Sequence, residues 1–156
     1  MNFYCDDKYV LKILNDNIKM ILAFWNSEIN NNIAVKVLNF KNFKNEFESY
    51  LNCPMSNDIT GFIEDDRKTI VYLEYKDWKY TTHKNDKKSE YDKVIIHELV
   101  HMVNSIFCDC SYPSDDIWEG VAYFLAGQTN CSYYDSFAKL AEKIDHDELL
   151  RIINNN

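Results

Sequence analysis

The chain has 156 residues, of which 46% are apolar and 15% aromatic, so it is large and apolar enough to form one domain with a buried core. This composition excludes a disordered chain. The net charge of −8 makes nucleic acid and anionic lipid surfaces unfavourable partners, because both repel an acidic protein.

Targeting and redox features of the sequence predict a soluble cytoplasmic protein. The first residues lack the basic start and apolar segment of a secretory signal, and no apolar run approaches the roughly 20 residues that span a bilayer. The five cysteines are an odd number without the spacing of a disulfide framework, so we expect mostly free thiols. The close pair Cys108 and Cys110 is interpreted as two thiols at the end of a helix rather than as a metal site.

The first part of the chain alternates between predicted helices and strands. Apolar residues at spacings of three and four predict a helix over 7–26, and residues 34–40 are predicted as a short strand. Aromatic residues at helical spacing predict a second helix over 43–51. The segment 53–57, which contains Pro54, ends that helix.

A hairpin and a helical region are predicted to follow. Strands are expected at 59–64 and 69–75, joined by a polar turn, and the second strand is rich in β-branched and aromatic residues. Residues 76–91 are predicted to form a polar loop. The remaining helices are predicted at about 92–108, 115–127, 132–143 and 146–153. Strands followed by helices predict a single α+β domain over residues 1–156.

The motif with the clearest chemistry is His-Glu-Leu-Val-His at residues 97–101. Two residues four apart lie about 40° apart on a helix and one turn along it, so His97 and His101 can reach one metal ion from the same face. Neutral imidazoles suit zinc, and two of them leave room for a third ligand and a water molecule. Glu98 would stand beside that water and could activate it.

The surroundings of the motif favour a metal over two histidines packed in a core. Glu98 is the sole charged residue between 94 and 108, and the rest of this helix is almost entirely apolar apart from one polar arc. Such a helix is predicted to be buried nearly all round. A buried carboxylate beside two histidines is costly unless a positive charge compensates it, and a zinc ion would supply that charge.

The predicted third ligand is Glu119. It is the sole charge between Asp116 and Asp135, and small residues share its helix face, which allows close approach to another helix. Ser114 is the expected N-cap of this helix, and Gly127 is expected to end it. A surface glutamate would not normally have Trp118 and other apolar residues beside it, so we predict that Glu119 points inward to the zinc.

The two segments together resemble a known family. His97-Glu-Leu-Val-His101 followed by Trp118-Glu-Gly-Val-Ala-Tyr-Phe-Leu-Ala-Gly-Gln128 is similar to the gluzincins, zinc metallopeptidases with a third glutamate ligand on a second helix, and within them to the aminopeptidase-N-like branch. The resemblance covers about 92–128. It implies a zincin-like catalytic domain that hydrolyses peptide or protein substrates, with His97, His101 and Glu119 as zinc ligands and Glu98 as the general base.

The same resemblance implies two further features. The strand at 69–75 would be the edge strand that pairs with an extended substrate. Many relatives also carry a tyrosine or histidine, far downstream of the third ligand, that stabilises the oxyanion. In this chain Tyr133, Tyr134 and His146 are the candidates for that role, and the sequence does not choose between them.

Two alternatives to an active zinc peptidase remain open from the sequence. The first is a catalytically idle zinc-binding interaction domain of metallopeptidase ancestry, in which the substrate groove binds a partner. The second is a structural domain in which His97 and His101 are ordinary core residues. The oligomeric state and the preferred peptide sequence are left open.

Overall fold

The computed structural model describes residues 1–107, 114–129 and 131–155. Within these ranges the chain forms four strands, six α-helices and a 3₁₀ helix at Tyr75–Tyr80. The strands are β1 (Asn2–Tyr4), β2 (Asn32–Leu38), β3 (Gly61–Glu64) and β4 (Thr69–Leu73). The helices are α1 (Lys8–Phe24), α2 (Phe40–Leu51), α3 (Lys88–Phe107), α4 (Asp115–Ala126), α5 (Ser132–Lys143) and α6 (His146–Asn155).

The strands form one mixed sheet in the order β1-β2-β4-β3. β1, β2 and β4 run parallel, whereas β3 pairs antiparallel with β4. The predicted hairpin is therefore confirmed, with a tight turn in which Lys68 adopts a positive φ of 48°. A small mixed sheet that carries helices also confirms the α+β class.

The prediction that strand 69–75 lies at the edge of the sheet is wrong. β4 runs between β2 and β3, and all five of its residues are buried. An uninterrupted apolar strand is typical of a position that is covered on both faces, which is an interior position. Of the two hairpin strands, β3 is the one that lies at the edge of the described sheet. Its residues alternate between buried and partly exposed.

The two faces of β3 contact different helices. Phe62 packs against Phe43 and Phe47 of α2, with ring centroids 5.5 and 5.2 Å apart. Successive residues of a strand point to opposite faces, so Gly61 faces α3, where it lies against Glu98. Gly61 pairs with Tyr72 of β4, and the Tyr72 hydroxyl donates a 2.8 Å hydrogen bond to the Ile95 carbonyl of α3. The sheet thus contacts α3 at Ile95 and Glu98, which lie just before and within the histidine motif.

Several element limits differ from the sequence prediction. The strand predicted at 34–40 is β2 at Asn32–Leu38, and α2 begins at Phe40 rather than near residue 43. β1 was not predicted; it is three residues long and is defined by its pairing with β2. The predicted polar loop at 76–91 contains the 3₁₀ helix, where Trp78 is buried, and the first turn of α3, which begins at Lys88 rather than near residue 92. The short turns of this segment are stabilised by aromatic packing, which hydrophobic periodicity does not reveal.

The C-terminal helices agree closely with the prediction. Ser114 is the N-cap residue of α4, and Gly127 ends that helix in the left-handed conformation with φ of 69°. The predicted helix 132–143 has the observed limits of α5. Cys108 and Cys110 lie outside the described residues, whereas Cys5, Cys53 and Cys131 are free thiols. No helix in the described part of the chain is both long and apolar enough to cross a membrane.

Candidate metal centre

The histidine motif lies on a helix that is buried along most of its length. α3 packs against α1, the sheet and α4, and its middle residues Leu99, Val100, Met102 and Val103 have no exposed surface. His97 and His101 are also buried, with 8% and 5% of their surface exposed. The predicted apolar helix with one polar arc is confirmed; His97 and His101 of that arc face α4, whereas Glu98 faces β3.

The structure brings the three predicted ligands together. The Nε2 atoms of His97 and His101 are 2.9 Å apart. One carboxylate oxygen of Glu119 lies 3.3 Å from His97 Nε2, and the other lies 3.4 Å from His101 Nε2. Within the described residues, these side chains form a group of three potential ligand atoms that all lie within 4.8 Å of one another and could hold a metal ion.

The donor set and its spacing fit zinc. Zinc bonds of about 2.0–2.1 Å in a tetrahedral site place neighbouring ligand atoms roughly 3.3 Å apart. The two contacts between Glu119 and the imidazoles, at 3.3 and 3.4 Å, are near this spacing, although each is made by a different carboxylate oxygen. The two Nε2 atoms, at 2.9 Å, would separate by about 0.4 Å, which is a small rotation of one ring. Two imidazoles and one carboxylate also leave a fourth position for a water molecule.

The pKa values of His97, His101 and Glu119 are shifted by burial and by the charges of one another. Burial lowers the pKa of His97, but the hydrogen bond that its ring donates to Glu119 and the charge of Glu98 outweigh this effect, so the pKa is raised. Burial and the neighbouring His97 lower the pKa of His101 to about 4. Burial opposes charge on Glu119 too, yet hydrogen bonds from both imidazoles hold its pKa well below the usual range. Glu119 is therefore an anion and His101 is neutral, which are the states that bind zinc. On His97 this environment favours the protonated ring, so zinc binding would displace that proton.

Glu98 stands beside this group, against the sheet. Its side chain passes over Gly61 of β3, so closely that a Cβ atom built on Gly61 would lie 2.7 Å from Glu98 Cγ. The surrounding protein withdraws water from the carboxyl group, which raises its pKa to about 7, although the neighbouring His97 lowers it. A carboxylate with a pKa near neutrality is suited to take up and release a proton at physiological pH.

All four predicted residues line one open cleft. The cleft has a volume of about 400 Å³ and lies between the edge strand β3, the motif helix α3 and the start of α4. Its floor carries His97, His101, Glu98 and Glu119, and its wall includes residues 58–63. A chain segment bound along β3 would therefore pass directly beside the potential metal ligands.

Three residues of the site were not predicted. Gln128 Oε1 lies 2.8 Å from His97 Nδ1, the Tyr123 ring meets the edge of the His97 ring at 4.8 Å, and the Trp118 ring stacks on His101 at 4.7 Å. Tyr123 follows Glu119 by four residues, so helical spacing alone places it on the same face of α4. Gln128 follows the end of α4, and no periodic signal identifies it.

The three candidate oxyanion residues are not among the described residues that line the cleft. The Tyr133 ring stacks on Tyr123 at 6.0 Å, and the Tyr134 ring packs against Phe124 at 5.7 Å. His146 Nε2 donates a 2.6 Å hydrogen bond to the Phe24 carbonyl. Among the described residues that line the cleft, the tyrosine is Tyr123.

These residues define a candidate His-His-Glu metal centre with a carboxylate of raised pKa beside it. Comparison of the chain with protein-family models, with curated proteins and with solved structures finds no match. Function must therefore be inferred from the chemistry of the cleft.

Proposed function

We propose that this protein is a zinc-dependent peptide hydrolase with a zincin-like catalytic domain, in which His97, His101 and Glu119 hold zinc and Glu98 is the general base. The observation that supports this proposal most strongly is that these three ligands converge while Glu98 lies in the same cleft with a pKa of about 7. A structural histidine pair would not require either the third ligand or the neighbouring base.

The substrate is expected to bind along the outer edge of β3, which pairs with no other described strand on that side. The Thr60 carbonyl accepts a 2.9 Å hydrogen bond from the Leu73 amide of β4. Because backbone groups alternate in direction along a strand, Gly61 and Ile63 turn their N–H and C=O groups away from β4, toward the cleft side. An extended peptide can pair with these groups as an added strand, which brings a peptide bond next to the ligand group.

Proton transfer is assigned to Glu98. A bound zinc ion supplies Lewis-acid chemistry, since it lowers the pKa of water and polarises a carbonyl group. Glu98 accepts the proton that water loses as its oxygen attacks the peptide carbon. The same carboxyl group then donates that proton to the nitrogen of the leaving amine, so that Glu98 returns to its initial state.

Tyr123 is assigned as the hydroxyl donor to the developing oxyanion. It lines the cleft beside His97, and its hydroxyl makes no hydrogen bond to any described residue. Burial and the nearby Glu119 raise the pKa of Tyr123, which keeps the phenol protonated as a donor. A positioned donor of this kind stabilises negative charge only as it forms, which is where catalysis gains most.

The proposal is tested with Glu98→Gln, which keeps the shape of the side chain but cannot accept the proton. We expect the variant to retain about one equivalent of zinc, by elemental analysis, and to lose cleavage of a mixed peptide library, by mass spectrometry. Glu90→Gln is the matched control, because Glu90 lies on the first turn of α3 and pairs with Lys93.

Each outcome has a distinct meaning. Cleavage that survives in Glu98→Gln would refute the assigned base. Zinc binding without any cleavage by the parent protein would favour the idle zinc-binding domain. A parent protein that does not bind zinc would refute the metal centre itself.

A further inference from the structure

One of the two histidine rings is held by a side chain from beyond the end of α4. Gln128 Oε1 and His97 Nδ1 are 2.8 Å apart. An amide oxygen can only accept a hydrogen bond, so the proton of this bond belongs to His97 Nδ1. In the neutral ring, the proton on Nδ1 leaves Nε2, the atom that faces His101 and Glu119, as the nitrogen with a free lone pair.

From this contact we infer that Gln128 is a positioning residue, which sets the tautomer of His97 and orients its ring toward Glu119. The inference rests on the proposed zinc centre for its functional meaning. The hydrogen bond itself does not depend on zinc and can be measured separately.

The backbone around Gln128 is built to hold this side chain in place. Gly127 ends α4 in the left-handed region, with φ of 69°, where glycine is favoured because it has no Cβ atom. The Gly127 amide donates to the Phe124 carbonyl at 3.2 Å, and the Gln128 amide donates to the Tyr123 carbonyl at 2.9 Å. These paired bonds form the Schellman turn of a helix end. The turn directs the chain back toward α3 immediately after the helix that carries Glu119.

The other histidine has no equivalent partner. His101 Nδ1 is buried, and it has no hydrogen-bond partner among the described residues. Its ring is held instead by Trp118, which stacks on it with an interplanar angle of 14°. Stacking restricts the plane of a ring but does not select its protonated nitrogen. Gln128 is therefore the side chain of the described structure that determines a tautomer at this centre.

The loss of the Gln128 hydrogen bond to His97 is expected to lower zinc affinity. A hydrogen bond to the second nitrogen of a ligating histidine fixes the ring and increases its basicity, and its loss typically lowers metal affinity 10- to 100-fold. Gln128→Met removes the acceptor and keeps the length of the side chain. We expect it to weaken zinc binding by about 10- to 100-fold. Gln128→Glu restores an acceptor and should return zinc affinity to the parental level or above it.

Two measurements test the inference. Zinc dissociation constants are obtained by competition with a chromophoric chelator for the parent, Gln128→Met, Gln128→Glu and the neighbouring surface control Thr129→Ala. The ¹⁵N chemical shifts of the His97 ring, recorded by long-range correlation on zinc-free protein above pH 8, show which nitrogen carries the proton. The parent should carry it on Nδ1, Gln128→Met should lose this preference, and Thr129→Ala should match the parent in both measurements.

The inference would be overturned by either of two results. The first is a folded Gln128→Met protein that binds zinc within twofold of the parent. The second is a parental His97 that is protonated on Nε2 instead of Nδ1. If the parent binds no zinc, the proposed function fails, and the nitrogen shifts still decide whether Gln128 sets the tautomer.

Discussion

Gly61 of the edge strand β3 lies so close to Glu98 that a single added methyl group should have a clear local effect. A Cβ atom at this position would lie 2.7 Å from Glu98 Cγ, 3.1 Å from its Oε1 and 3.2 Å from its Cδ. Carbon atoms pack favourably at about 3.5–4.0 Å, so Gly61→Ala requires β3 or Glu98 to move by close to 1 Å. Because the sheet holds β3 through its pairing with β4, the side chain of Glu98 is expected to yield.

This displacement should lower both the free energy of unfolding and the catalytic turnover. Inserting a methyl group into a packed contact typically costs about 1–3 kcal/mol, whereas replacing glycine in a strand returns roughly 0.5–1 kcal/mol. We therefore expect the free energy of unfolding to fall by about 1–2 kcal/mol. A displacement of about 1 Å in a catalytic group can reduce turnover by about 100-fold. Zinc affinity should change little, because the three atoms nearest the added methyl group all belong to Glu98 and not to a zinc ligand.

A double-mutant cycle isolates the contact between Gly61 and Glu98. In a Glu98→Ala background the opposing Cγ atom is absent, and Gly61→Ala should stabilise the protein slightly, because alanine is favoured over glycine in a strand. In a Glu98→Gln background Cγ remains, and Gly61→Ala should be as destabilising as in the parent. The free energies come from urea denaturation. An equal effect of Gly61→Ala in all three backgrounds would refute the proposed steric contact.

Three further predictions concern individual side chains. Glu119→Ala should weaken zinc retention in equilibrium dialysis. The control Asp116→Ala, on the same helix, should retain zinc like the parent. Full zinc content in Glu119→Ala would show that Glu119 is not a ligand. Tyr123→Phe should reduce kcat by about 100- to 1000-fold at unchanged zinc content, as expected for an oxyanion donor. Tyr134→Phe is the control and should keep the parental kcat. A Tyr123→Phe variant with the parental kcat would contradict this role. Burial raises the pKa of Glu64, so its stabilising contribution is present at low pH and is lost as the pH rises above the usual glutamate range. The neutral variant Glu64→Gln should accordingly gain unfolding free energy relative to the parent as the pH rises above about 4. A constant difference would contradict the raised pKa.

The parts of the site that the sequence predicts are those set by helical geometry. His97 and His101 share a face because they are four residues apart, and this relation needs no knowledge of the fold. Glu119 was identified by its isolation as a charge among apolar and small residues. That pattern predicts the direction of the side chain, and the contact between α3 and α4 then supplies the short distances to both imidazoles.

The parts that the sequence does not predict depend on pairing between distant segments. β1 is a strand because residues 2–4 pair with 32–34, a relation that a three-residue pattern cannot encode. The position of β4 inside the sheet follows from its two pairings and reverses the predicted edge. Gln128 reaches His97 across 31 residues, through a turn whose direction is set by Gly127. Local periodicity contains none of these relations.

The orientation of the two imidazoles favours a metal centre over a structural ion-pair network. In a structural network, donors point at acceptors and each buried polar atom finds a partner. Here both rings direct Nε2 toward the same point, 2.9 Å apart, and His101 Nδ1 is left buried without a partner among the described residues. Only one proton can lie between two nitrogen atoms at that distance, so the two rings cannot both donate a hydrogen bond along this contact. A cation bound between the imidazoles and Glu119 would accept a lone pair from each nitrogen, and the arrangement would then be favourable.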